Sequence, residues 1–138
     1  MKIKKLHPDA TLPTEPRDGD AGHDLFSLGD VVLYPGEIKA ISTGIAMEIP
    51  SGFVGIIKPR SGLALKGVDV LAGVIDSSYR GEIKVVLCNL SQDTAVALSG
   101  NSKIAQMLFV NYGIMLMEEV DELSNTERQA NGFGSTGT

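Results

Sequence analysis

Short apolar runs recur along this chain, and glycine or proline turn signals break them roughly every 8 to 12 residues. No longer window keeps a helical 3.6-residue period, so helical bundles and alternating strand–helix folds are excluded. Sixteen of the 138 residues are glycine. That is about 12 %, against an average of about 7 %, and such dispersed glycines fit many tight turns. The pattern predicts strands at residues 2–6, 31–34, 37–41, 44–49, 53–58, 83–88, 94–98, 103–110 and 114–120, with a hairpin at 72–82. About ten short strands of this kind make an all-β sandwich or barrel. The only helical turn is expected in Pro59-Arg60-Ser61-Gly62-Leu63-Ala64-Leu65-Lys66-Gly67, with Gly67 as its stop.

A chain of 138 residues with one hydrophobic pattern and no linker is one domain. The hydrophobic pattern disappears after residue 120. We therefore expect a β domain over residues 1–124 and a flexible C-terminal arm over 125–138, too poor in apolar surface to pack alone. The net charge of −5 argues against nucleic acid and anionic membrane as partners. An anionic ligand would need local arginines, lysines or a metal. The single Cys88 excludes an internal disulfide and fits a reducing compartment. With no apolar run long enough to span a bilayer and no signal-peptide core behind the basic N-terminus, a soluble cytoplasmic protein is expected.

The stretch with most chemistry is Ala72-Gly73-Val74-Ile75-Asp76-Ser77-Ser78-Tyr79-Arg80-Gly81-Glu82. It sets a carboxylate and a ring at a turn between strands, where neither is needed for a core and both would be held still. On position alone, Asp76 is as readily a turn aspartate bonded to its own backbone, and Tyr79 a half-buried strand tyrosine. The arm carries Arg128 and Phe133 among small residues, a composition suited to closing over an anion with a stacking ring.

Five separated stretches resemble the five motifs of the trimeric dUTPases, in the family's order and across nearly the whole chain. They are Ala21-Gly22-His23-Asp24-Leu25, Pro59-Arg60-Ser61-Gly62-Leu63-Ala64, Gly73-Val74-Ile75-Asp76-Ser77-Ser78-Tyr79-Arg80-Gly81-Glu82, Gly100-Asn101-Ser102-Lys103-Ile104-Ala105-Gln106, and Thr126-Glu127-Arg128 with Gly132-Phe133-Gly134-Ser135-Thr136-Gly137. Any one alone is weak; five in register are specific.

The resemblance implies a jelly-roll-like subunit and a homotrimer with shared active sites. It also implies hydrolysis of dUTP to dUMP and pyrophosphate with Mg2+, which limits uracil in DNA and supplies dUMP for dTMP synthesis. On this resemblance Asp76 would activate the water that attacks the α-phosphorus. Gly73, Val74 and the Lys84 backbone would meet the uracil edge, and Tyr79 would exclude a ribose 2′-OH. Arg60, Ser61 and Gly62 would bind phosphate oxygens, joined by Gln106 with Lys103 beside it. Arg128 would reach the γ-phosphate, Phe133 would stack on the base, and Gly134 would add a backbone contact. No direct protein ligand to the metal is expected. Asp24 would either hold a water of the Mg2+ shell or orient a site residue, and the sequence leaves both open.

The chain departs from the family at His23, where tyrosine is usual, at Ser78, at Asn101-Ser102, and at Gln129-Ala130-Asn131. None of these is a residue assigned to catalysis. A dCTP deaminase on the same fold is disfavoured because Ser77-Ser78-Tyr79, not proline-glycine, follows Asp76. A non-catalytic nucleotide-binding module is disfavoured because Asp76, Tyr79 and the arginine-phenylalanine arm are all present.

Overall fold

A computed structural model describes residues 1–130. Among them are eleven strands and one helical turn, so the all-β, jelly-roll-like expectation holds. The strands are β1 (Lys2–Lys5), β2 (His23–Phe26), β3 (Val31–Leu33), β4 (Ile38–Ser42), β5 (Ile45–Glu48), β6 (Phe53–Lys58), β7 (Val68–Leu71), β8 (Val74–Ile75), β9 (Lys84–Asn89), β10 (Val96–Leu98) and β11 (Lys103–Asn111). The helical turn, α1 (Ser61–Ala64), lies between β6 and β7. It stops where expected: Gly67 adopts φ +80 and donates its N–H to the Ala64 carbonyl at 2.9 Å.

Two larger sheets hold the fold, a four-stranded one in the order β2-β11-β6-β8 and a three-stranded one in the order β4-β9-β7. The pairs β1-β5 and β3-β10 complete it, and every pairing is antiparallel. The longest strand, β11, is central because its alternating residues bury well: Ile104, Ala105 and Met107 are fully enclosed. Strand β9 is the centre of the other sheet for the same reason, with Val85 and Leu87 fully buried and Cys88 nearly so. Leu25, Leu33, Ile45, Val68 and Ile83 join them in one continuous core. Asn89, the one fully buried amide side chain among the described residues, is satisfied: it donates to the Leu33 and Thr94 carbonyls and accepts from the Ser91 N–H.

Two expectations are corrected. Residues 114–120 form no strand, although their composition suits one. After Tyr112, whose N–H donates to the Gly52 carbonyl at 3.0 Å, the chain leaves the body, with Leu116 and Met117 96 % and 98 % exposed. A strand needs a neighbouring ladder, and this chain supplies none there. Secondly, the 72–82 stretch is not a paired hairpin. Strand β8 pairs with β6, whereas β9 pairs with β4 and β7. The turn at residues 76–79 therefore joins two different sheets. It is still held at both ends, but by two walls of the sandwich. No helix among the described residues is long and apolar enough to cross a membrane.

Candidate active site

Strand pairing brings the first, second and fourth motif stretches together. Gln106 on β11 lies opposite Asp24 on β2 and opposite Lys58 at the end of β6. Pro59 ends β6, and the Gln106 side-chain amide donates to its carbonyl at 3.0 Å. This places Arg60, the residue before α1, beside Asp24. The Asp24 carboxylate is largely buried and takes Arg60 Nε at 3.0 Å on one oxygen and Lys103 Nζ at 2.7 Å on the other. The two oxygens thus fix two cations that would otherwise repel each other.

A cleft of about 370 Å3 opens over this cluster, lined by Arg60, Ser61, Gly62, Gln106, Asp24 and the 20–22 segment. Gly22 allows the close packing: a side chain there would collide with the Gln106 carboxamide. The adjoining cleft adds Arg17 and Lys103. Sequence reasoning did not single out Asp20, which lines both clefts. Its signal was the Asp18-Gly19-Asp20 turn, whose last N–H donates to the Arg17 carbonyl at 2.9 Å.

The third motif stretch forms a second cleft, of about 220 Å3, lined by Val74, Ile75, Asp76, Tyr79, Glu82 and Lys84. It shares no lining residue with the first. Its entry is a kink. Ala72 and Gly73 both have positive φ, +59 and +94, and a Cβ on Gly73 would sit 2.8 Å from the Ile57 carbonyl oxygen. The Gly73 carbonyl accepts from the Ile57 N–H at 2.8 Å, a single bond that sets these two residues opposite each other and leaves the Gly73 N–H unbonded to Ile57. By antiparallel alternation the next pair, Ile56 and Val74, is not hydrogen-bonded. The Val74 N–H and C=O therefore point away from β6, off the edge of the sheet.

Beyond β8 the chain turns at Ser77-Ser78, with the Tyr79 N–H donating to the Asp76 carbonyl at 3.1 Å. Arg80 braces the turn from outside by donating to the Ser77 and Tyr79 carbonyls at 2.6 and 2.9 Å. Among the described residues no hydrogen bond or ion pair engages the Asp76 carboxylate, which is exposed and faces the cleft. Asp76 is thus not spent on capping its own turn.

Glu82 was not singled out by sequence reasoning, although it closes this cleft. Its carboxylate accepts from the Gly44 N–H at 2.9 Å and the Ser42 hydroxyl at 3.4 Å, and pairs with Lys84 Nζ at 3.5 Å. The glutamate that ends the turn is therefore anchored to the β4–β5 corner. Only its place between a glycine and a buried isoleucine hinted at this.

Arg128 is among the described residues, in the segment that follows the exposed 114–123 stretch. Phe133 and Gly134 lie outside the described residues. Among the described residues, no group of three or more His, Cys, Asp or Glu side chains could hold a metal ion. The carboxylates of Asp20 and Asp24 are hard oxygen donors on one cleft, suited to a hydrated Mg2+ that keeps its waters.

A dUTPase family model matches residues 8–137 of the chain. The deoxyuridine 5'-triphosphate nucleotidohydrolase of Hydrogenobaculum sp. (strain Y04AAS1) is 52 % identical, across 99 % of this chain and 97 % of that protein. The enzyme of the same name from Trichodesmium erythraeum (strain IMS101) is 48 % identical, across 100 % of this chain and 99 % of that one. Among solved structures, a mutant dUTPase of Staphylococcus bacteriophage 80alpha with dUpNHpp has a TM-score of 0.92 at 28 % identity, over 99 % of this chain and 98 % of that chain. A mutant dUTPase from phage phi11 of S. aureus, described with a structural Mg(II) ion, has a TM-score of 0.82 at 26 % identity, over 88 % of this chain and 96 % of that chain.

Proposed function

The chain belongs to the dUTPase family and has its dUTP nucleotidohydrolase activity, and from that premise we propose that Asp76 is the general base that converts dUTP to dUMP and pyrophosphate. The observation that carries this reading is the unengaged Asp76 carboxylate, in one cleft with the outward-facing Val74 peptide groups and the Tyr79 ring. Asp76 takes a proton from a water as that water's oxygen bonds to the α-phosphorus. The bond from the α-phosphorus to the bridging oxygen breaks, and pyrophosphate leaves. Positioning and proton removal suffice, without a covalent intermediate.

The base is read by backbone. The Val74 N–H and C=O meet the uracil edge as a donor and an acceptor, and Gly73, whose carbonyl is engaged with Ile57, adds its amide. The Lys84 backbone completes this contact. A cytosine edge reverses the pattern and loses both bonds. Tyr79 lies against the deoxyribose and leaves no room for a 2′-OH. Arg60, Ser61, Gly62 and Gln106 hold phosphate oxygens in the cleft they line, with Lys103 beside them. Asp24 orients Arg60 and Lys103 through its two ion pairs, and its remaining lone pairs can accept from the waters of a Mg2+ ion. That ion would neutralise charge on the substrate's phosphates.

The active unit is a homotrimer whose sites are shared between subunits. Two observations support it. One chain carries the phosphate cleft and the turn cleft as separate half-sites. It also extends a run of exposed apolar residues, Ile114, Met115, Leu116, Met117, Val120 and Leu123, that a lone subunit would leave in water. Residues 125–138 act as an arm that closes on the bound nucleotide, with Arg128 on the γ-phosphate, Phe133 stacked on uracil and Gly134 adding a backbone contact. A cytoplasmic setting is part of this reading: it suits a nucleotide substrate and a chain whose single cysteine is free.

The test is pyrophosphate release with Mg2+ across dUTP, dTTP, dCTP and UTP. Turnover of dUTP with little release from the others is expected. Equal rates on UTP would remove the role given to Tyr79, and equal rates on dCTP the role given to Val74.

A further inference from the structure

Gly81 has no backbone reason to be glycine. It is absent from the glycines with positive φ, so its conformation is one that alanine adopts freely. Its reason is Tyr79. A Cβ on Gly81 would lie 2.6 Å from Tyr79 Cζ and 3.0 Å from Cε2, and closer still to the hydroxyl oxygen. The hydroxyl end of the ring fills the space a Gly81 side chain would take, and the hydroxyl donates to the Glu82 carbonyl at 3.0 Å.

That carbonyl is itself fixed. The Glu82 carboxylate is tied to Gly44 and Ser42, and the next residue, Ile83, donates its N–H to the Ile45 carbonyl at 2.9 Å. The ring thus rests on a bare peptide at one point and on a core-anchored acceptor at another. Arg80, between them, holds the Tyr79 carbonyl.

We propose that Gly81 and the Glu82 carbonyl form a seat that sets the height of the Tyr79 ring in the cleft, making Gly81 a positioning residue for the choice between deoxyribose and ribose. This rests on the reading of Tyr79 as the residue that meets the sugar. A methyl group at position 81 takes the space the hydroxyl end of the ring now fills, so the ring, which lines the cleft, must leave its place against the sugar. A sugar that fitted closely then fits badly, so binding suffers more than turnover.

A double-mutant cycle tests the seat. The four proteins are the natural chain, Gly81→Ala, Tyr79→Ala and the double variant, each assayed with dUTP and UTP and melted by circular dichroism. Gly81→Ala should raise KM for dUTP about tenfold with a smaller change in kcat, and should raise it less than about twofold when Tyr79 is already alanine. That coupling supports the seat when the dUTP-to-UTP ratio of kcat/KM falls with it while Tyr79 is present, because a glycine needed only for packing room would couple to Tyr79 without moving the ratio. If Gly81→Ala unfolds the chain only while Tyr79 is present, Tyr79→Phe decides, since it removes only the bond to the Glu82 carbonyl: a lowered dUTP-to-UTP ratio supports the seat, and an unchanged ratio overturns it.

Equal losses in both backgrounds, or unfolding in both, overturn the proposal. Tyr79→Ala alone should lower the dUTP-to-UTP ratio of kcat/KM by about tenfold or more. If that ratio stays unchanged, the reading of Tyr79 itself falls and the proposal falls with it. If the ratio collapses while the Gly81→Ala losses are equal in both backgrounds, only the seat is wrong.

Discussion

The cleft around Asp24 is lined by side chains that already hold one another, whereas the cleft at the 76–79 turn presents groups left open. In the first, one carboxylate satisfies two cations, and Gln106 is tied to the Pro59 carbonyl. In the second, the Asp76 carboxylate and the Val74 peptide have no partner among the described residues, and only the scaffold beneath them is bonded. On the reading proposed above, cations that bind phosphates must be kept apart and pointed before the ligand arrives, which a shared carboxylate does, and a base and a base-reading edge must stay unsatisfied until substrate and water fill them. Preorganisation takes opposite forms in the two places: neutralised side chains in one, a rigid backbone under open groups in the other.

Substitutions that separate chemistry from binding sharpen this contrast. Asp76→Asn keeps the shape of the turn and removes the proton acceptor, so kcat for pyrophosphate release should drop by about 10²- to 10⁴-fold, with nucleotide affinity by calorimetry nearly unchanged. A variant that turns over normally would transfer the base elsewhere and leave the turn cleft a mere recognition edge.

Gly73→Ala attacks the scaffold below the open groups. The new Cβ meets the Ile57 carbonyl oxygen at 2.8 Å in a conformation that alanine resists, so unfolding free energy should drop by about 1–3 kcal/mol, measured by denaturant titration. No loss would mean that the kink at the head of the turn is soft.

Asp24→Asn should have the smallest effect on stability, about 1 kcal/mol or less, since Arg60 and Lys103 are well exposed and can turn to water. Its signature is kinetic: KM for dUTP should rise about tenfold with kcat less affected, because two freed cations must be gathered by the substrate. If kcat fell as far as in Asp76→Asn, the division between a binding cleft and a chemical cleft would collapse.

Much of this was legible in the sequence, for identifiable reasons. Alternation located β6, β9 and β11 because each turns buried residues to one side, Gly55 and Ile57, Val85 and Leu87, and Ala105 and Met107, and Gly67 marked the end of α1 because a left-handed residue fits there. The motif stretches located the residues of both clefts apart from Asp20 and Lys84, which lie just outside them. Pairing was not legible. An apolar dipeptide such as Val74-Ile75 fits β6 as well as it would fit β9, and local sequence does not choose between them. Residues 114–120 read as a strand because apolar composition reports a need for cover and not what provides it. The seat of Tyr79 was hidden for a third reason: residues 79 and 81 lie on the same side of an ideal strand, but only the actual bend brings the ring down onto the glycine.

Cys88 gives the fold a built-in gauge. Its thiol sits on the central strand of the three-stranded sheet, opposite Ile38 on one side and Asp69 on the other, and is only 8 % exposed. A thiol-reactive reagent reaches it when that sheet opens, so the alkylation rate of this one atom times the breathing of one wall of the sandwich. No tryptophan competes as a reporter, and no second cysteine blurs the signal.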